Sequence, residues 1–257
     1  MPSAAHASFW IALLVGIASG SVGPFILLRR MALVGDALSH VALPGIALAL
    51  MYGIDPFYGV VVFLIAAAFA IFWLEGRSKV PPDAIVGLLF TASLAIGILI
   101  LPSGDVIESL FGAFPVLSLP FLLLILCASL VLSALCFLLA RRFLFLIVST
   151  DLAKVQGFGR GYDLALLVIF ALVVALGIKL VGTLLMGALT IIPASIAKNL
   201  SRSMRQYIIA SAVLGGVISV TGAWLAGMFR FLPGPTIVLL GVGVFLLSLP
   251  VARKGAA

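Results

Sequence analysis

RRMALVGDALSHVALPGIALALM, residues 29–51, reads as a membrane-spanning helix that carries a carboxylate and an imidazole. A helix needs about 20 residues to cross the hydrocarbon. Beyond the two leading arginines, Asp36 and His40 are the only ionisable side chains in the run. Burying an aspartate at bilayer depth costs roughly 2.5–3.5 kcal/mol on insertion scales, so its presence asks for a reason. Four residues is close to one helical turn, which puts both side chains on one face. A carboxylate oxygen and an imidazole nitrogen so placed can hold one divalent cation. The plainer alternative is a carboxylate–histidine hydrogen bond that pins two helices. Pro44, four residues past His40, removes a backbone donor and is expected to kink or break the helix beside the pair. Broken helices at membrane depth line cavities.

The rest of the composition agrees with a membrane setting. Of 257 residues, 64% are hydrophobic and 9% charged, against about 25% charged in a soluble domain. The expected fold class is all-α, a polytopic transmembrane bundle surrounded by lipid. With no long polar stretch, residues 1–257 read as a single transmembrane domain. A net charge of +7 would suggest nucleic acid in a soluble protein; here the placement of the cations explains it, and no nucleic-acid partner is expected. Cys127 and Cys136 lie in one apolar run and read as packing residues, neither a disulfide nor a thiolate site. Residues 1–10 hold no Lys or Arg, so they read as the start of a first span and not as a cleavable leader.

Apolar runs place spans at 8–28, 31–51, 57–74, 84–102, 119–140, 163–178, 180–197, 207–228 and 235–250, about nine, with eight possible if the sixth and seventh merge. Their division is set at a tight turn near Lys179. With the amino terminus outside, inside loops collect Arg29, Arg30, Arg77, Lys79, Arg141, Arg142, Lys154, Arg160, Lys198, Arg202, Arg205, Arg253 and Lys254. Only Lys179 and Arg230 fall outside. The positive-inside rule selects this orientation, carboxyl terminus inside. Asp55, Asp105 and Glu108 fall in outside loops. Gly16 and Gly20 form a GxxxG pair, and Gly182, Gly187, Gly215, Gly216 and Gly222 offer further points of close helix approach.

No G-x-x-x-x-G-K-[ST], H-E-x-x-H, G-x-S-x-G or Cys-rich zinc pattern occurs. The chain is therefore not expected to be an enzyme or to bind ATP itself; transport is the expected role. Two inside segments read as more than connections. In RRFLFLIVSTDLAKVQGFGRGY, residues 141–162, Ser149–Thr150–Asp151 reads as the cap of a short helix that ends near Gly157. In IIPASIAKNLSRSMRQY, residues 191–207, Pro193 ends or bends the seventh span, and Ala194 to Met204 fits a short amphipathic helix. The second segment reads either as an ordinary basic loop or as a docking helix for a cytoplasmic motor.

With these residues in view, the chain resembles the permease subunits of ATP-binding-cassette importers for zinc, manganese and iron(II). The likeness rests on RRMALVGDALSHVALPGIALAL (29–50), SGDVIESLFGAFPVLS (103–118), STDLAKVQGF (149–158) and VGTLLMGALTIIPASIAKNLSRSM (181–204), and runs in order along most of the chain. It implies the type II importer permease architecture in a prokaryotic cytoplasmic membrane. It also implies a homodimeric or heterodimeric permease core, with a second permease copy in the homodimer, two ATPase subunits that hold the ATP, and an extracytoplasmic metal-binding receptor. No permanently bound cofactor is implied; the transported zinc, manganese or iron is the cargo. The family's intramembrane metal residues map onto Asp36 and His40. By likeness to cobalamin and siderophore permeases, the ATPase-coupling region maps onto roughly Pro193 to Gln206, including Ala194, Ala197, Lys198 and Arg202. The histidine-rich loop of some zinc systems is absent, which leaves the metal open. Two other readings remain: a proton-coupled secondary transporter with Asp36 and His40 as a relay, and a non-transport membrane scaffold with a structural Asp–His pair.

Overall fold

Prolines and capping side chains mark where helices begin. The computed structural model describes residues 2–100, 119–148, 159, 161–183 and 186–254. Among these, nine helices and no strands occur: α1 (Pro2–Leu28), α2 (Ala32–Met51), α3 (Pro56–Arg77), α4 (Pro82–Ile100), α5 (Leu119–Val148), α6 (Gly161–Val181), α7 (Met186–Leu200), α8 (Met204–Phe229) and α9 (Pro233–Lys254). Proline occupies the first helical position of α3, α4 and α9, where its missing N–H costs nothing. Asp55 caps α3, its carboxylate accepting from the Phe57 N–H at 2.8 Å. Ser203 caps α8, accepting from the Gln206 N–H at 3.3 Å.

Eight of the helices are long and apolar enough to cross a membrane. The exception is α7: its 15 residues reach about 22 Å at 1.5 Å per residue. Several boundaries differ from those expected. The sixth helix runs through Lys179 to Val181, and the break falls at Gly182, whose φ of +82° suits glycine. Pro193 does not end the seventh span. Helix α7 continues through it to Leu200, so no separate amphipathic helix spans 194–204; a turn at 201–203 divides that stretch between α7 and α8. Pro44 likewise sits inside an unbroken α2. The fifth helix does not stop before Arg141 but extends to Val148. Apolar residues continue there, and Phe143, fully buried, meets Phe25 edge-on with ring centroids 5.5 Å apart. The expected short helix at 149–157 and the 103–118 segment lie outside the described residues.

Contacts sort the turns into two ends. Gly16 of α1 faces Gly215 and Ser219 of α8, and Gly20 faces Ser211, so the two helices run antiparallel. The Phe25–Phe143 contact joins the end of α5 to the end of α1. Phe57 and Phe121, 5.0 Å apart, join the starts of α3 and α5 at the other end. Asn199 Nδ2 donates to Ser248 Oγ at 2.9 Å, joining the last turns of α7 and α9. Successive helices thus alternate in direction, α7 included. Arg29, Arg30, Arg77, Lys79, Arg141, Arg142, Lys198, Arg202 and Arg205 collect at one end, hereafter the Arg29 end, and Arg230 lies at the opposite one.

Packing centres on α1, α2 and α6, the most buried of the spans. Helix α1 lies most extensively on α8. Pro24 inside α1 has no N–H to give the Gly20 carbonyl. The Ser211 hydroxyl of α8 fills that place, donating to the Gly20 carbonyl at 2.6 Å. Without a Cβ on Gly16, Gly20 or Gly215, the two backbones approach closely enough for this bond to form. Helix α2 barely touches α1; it packs on α3, α4 and α7.

Candidate metal site on the second helix

Asp36 lies about 6 Å along the axis from the first residue of α2, and His40 about 12 Å. Both therefore belong to the Arg29-end half of a 20-residue helix. Glycine fixes the backbone here. Gly35 of α2 and Gly187 of α7 cross: a Cβ on Gly35 would stand 3.1 Å from Gly187 Cα and 3.3 Å from the ring of the buried Phe170. On its opposite side α2 leans on α4, where Gly97 admits Leu43 and Pro44.

The two candidate ligands differ in setting. His40 is 6% exposed and meets Phe90 of α4 edge-to-face at 4.9 Å. Its Nδ1 lies 2.9 Å from the Asp36 backbone oxygen. A carbonyl can only accept, so this bond places the proton on Nδ1. In the neutral ring Nε2 then keeps its lone pair, the state in which histidine binds a metal. The hydrogen bond expected in the plainer alternative runs to the Asp36 backbone and not to its carboxylate. The Asp36 side chain is exposed on the surface of the single chain, as is Leu33 at 64%. No hydrogen bond or ion pair links the Asp36 carboxylate to another described residue. Among the described residues no group of three or more His, Cys, Asp or Glu side chains converges as a metal site. One chain therefore offers one oxygen, on the exposed Asp36, and one nitrogen, on the buried His40, a turn apart on α2. Pro44 adds a local consequence: it withholds the N–H that would otherwise pair with the His40 carbonyl.

The expected coupling residues separate into two sets. Pro193, Ala194 and Ala197 are buried within the chain's own bundle, with Ala194 set against Gly23 of α1. A docking face made by Ala197 does not fit that placement, because its side chain is already buried within the chain. Lys198, Arg202 and the run through Gln206 are exposed at the Arg29 end.

Sequence reasoning passed over Glu75 and Asp163. Arg29 Nη2 donates to Glu75 Oε2 of α3 at 3.3 Å, and Arg29 Nη1 lies 3.2 Å from Asp163 Oδ1 of α6. All three side chains are mostly buried. The available signal was an acidic residue at a span end that otherwise gathers cations.

The chain matches the family described as "ABC 3 transport family" over residues 3–252. It is 34% identical over 251 residues to the manganese import system permease protein ScaB of Streptococcus gordonii, covering 95% of this chain and 89% of that protein. It is 32% identical over 248 residues to the high-affinity zinc uptake system membrane protein ZnuB of Buchnera aphidicola subsp. Schizaphis graminum, covering 93% and 95%. Among solved structures, PsaBC from Streptococcus pneumoniae in complex with Fab superposes with a TM-score of 0.84 at 32% identity, over 96% of this chain and 92% of that one.

Proposed function

This chain belongs to the ABC 3 transport family, as a membrane permease of the manganese and zinc importer kind, and from that premise we propose that Asp36 and His40 are the ligands a divalent transition-metal ion meets as it crosses. The whole chain serves as one permease domain. The cargo is manganese, zinc or iron(II), and the energy comes from ATP hydrolysed on separate subunits.

The observation that carries this reading is the pairing of an oriented imidazole with an uncovered carboxylate one turn away. A cation entering the membrane sheds hydration water. Asp36 offsets that cost by charge, and His40 Nε2 adds a nitrogen donor that calcium and magnesium do not favour. A carboxylate facing hydrocarbon is unfavourable, which supports a second copy of the chain against this face. Two copies supply two oxygens and two nitrogens, enough to select a transition metal yet open enough to release it. Orientation follows the cations: the Arg29 end inside, the amino terminus outside. The exposed Lys198–Gln206 stretch then faces the cytoplasm, where an ATPase groove can seat it, while a metal-binding receptor delivers cargo at the other end.

The test is metal uptake by Asp36→Asn and His40→Ala in the assembled transporter. Each should abolish or greatly reduce uptake at unchanged complex abundance. Parent-rate uptake by both variants would return the pair to a structural role, and proton-coupled uptake by the chain without an ATPase would favour a secondary transporter.

A further inference from the structure

Helix α2 carries the proposed ligands, yet its neighbours hold its start on one side only. Helices α1 and α2 splay apart directly after their corner. On the first turns of α2, Leu33 and Asp36 face outward and touch nothing that covers them. The corner itself is tight: Met31 N–H donates to the Ile26 carbonyl at 3.1 Å, Arg30 adopts a left-handed φ of +59°, and Met31 is buried. What fastens this corner to the remaining bundle is Arg29. Its planar guanidinium reaches two carboxylates on two helices, Glu75 near the end of α3 and Asp163 near the start of α6. Helix α3 is a principal packing partner of α2, and α6 joins α1 and α3 in the core. The guanidinium therefore ties the layer of α2, α3 and α4 to the layer of α1 and α6, at the point where the chain passes from one to the other. Asp36 follows seven residues later, about one turn into α2.

We propose that Arg29 is a positioning residue for the metal pair: by engaging Glu75 and Asp163 together it fixes the start of α2, and with it the places of Asp36 and His40. The inference rests on the reading of those two residues as metal ligands. The rigid fork suits this role better than a lysine, whose point charge on a flexible stem engages two carboxylates in a less fixed geometry. Groups hydrogen-bonded directly to metal ligands change metal affinity by about 10–100-fold when lost; Arg29 acts through the start of α2, so the lower end of that range is expected.

The experiment measures equilibrium binding of manganese and of zinc to the purified permease–ATPase complex without its receptor, beside metal uptake in cells with complex abundance quantified for each variant. Arg29→Gln should raise the Kd for metal roughly tenfold and lower uptake at parent abundance. Arg29→Lys should recover part of the loss, and Asp163→Asn should raise Kd by a smaller factor. A static brace predicts another pattern: uptake falling in proportion to abundance with Kd unchanged. That pattern in Arg29→Gln and Asp163→Asn, or parent values in both, overturns the proposal. If Arg29→Gln is too poorly assembled to measure, the Kd values of Arg29→Lys and Asp163→Asn decide by the same criterion. Asp36→Asn is run beside them. If it retains parent Kd and uptake, the ligand reading fails; if it loses metal binding while the Arg29 variants behave as parent, only the positioning inference fails.

Discussion

Gly187→Ala concentrates the structural reasoning into a single methyl group. A Cβ at this position would stand 2.8 Å from the Asp36 amide nitrogen, 3.1 Å from the Gly35 carbonyl carbon and 3.2 Å from Asp36 Cα. All three are backbone atoms of α2, so no rotamer change gives relief. Ordinary contact begins at 3.4 Å, so α7 and α2 must part by roughly half an ångström in an interior packed like a crystal. Overpacking of this kind costs about 1–3 kcal/mol. Alanine returns up to about 1 kcal/mol through helix propensity, leaving a net loss of up to about 2 kcal/mol. The displaced atoms belong to the Asp36 turn itself, so uptake should fall along with stability. The assay is thermal unfolding of the purified permease in detergent beside metal uptake in cells, with Gly243→Ala as the control. Gly243 has nothing within 4 Å of its Cβ direction, and there alanine should be neutral or stabilising by up to about 1 kcal/mol. If Gly187→Ala unfolds and transports like Gly243→Ala, the close α2–α7 crossing is not what holds Asp36 in place.

Asp55→Ala removes the cap from α3 and should cost about 0.5–2 kcal/mol in thermal unfolding, with Asp55→Asn retaining most of the parent stability. The double replacement Lys198→Glu and Arg202→Glu should weaken ATPase co-purification and abolish uptake while leaving the stability of the permease unchanged; full ATPase retention would move the docking surface elsewhere. For orientation, single cysteines at Ile54 and Lys79, in a chain whose Cys127 and Cys136 are replaced by serine, should be labelled by an impermeant reagent from opposite sides, Ile54 from outside. Labelling from the same side would contradict the alternation of α2, α3 and α4.

The candidate pair, Asp36 and His40, and most helix boundaries were legible because they are local. Asp36 and His40 stand out as charge in an apolar run, and turn residues punctuate the spans. What stayed hidden is relational. Glu75 lies 46 residues from Arg29, and no local pattern announces that the two meet. The extension of α5 past Arg141 was concealed because paired arginines resemble a loop, whereas the buried Phe143 continues the helix. Asp55 lies in the connection between α2 and α3, where a loop was expected, and also caps α3, a role that the Asp-Pro pair could have shown. Pro44 and Pro193 mislead for a common reason: packing of Pro44 against Gly97 of α4, and burial of Pro193 within the bundle, carry each helix unbroken through a residue that would end it in isolation. The burial of Ala197 likewise depends on which way α7 faces, and that is settled by neighbours distant in the chain.

The bond between Ser211 and the Gly20 carbonyl bears on how this protein is made. Its two residues are 191 positions apart, and a membrane chain emerges amino terminus first. When α1 leaves the ribosome, Pro24 has already deprived the Gly20 carbonyl of its helical donor, and the hydrocarbon offers no substitute. The bare glycine seam and its orphan acceptor must wait through most of synthesis for α8. A chain interrupted before Met204 therefore lacks the donor that completes its first helix. Completion is registered late, at a single hydroxyl.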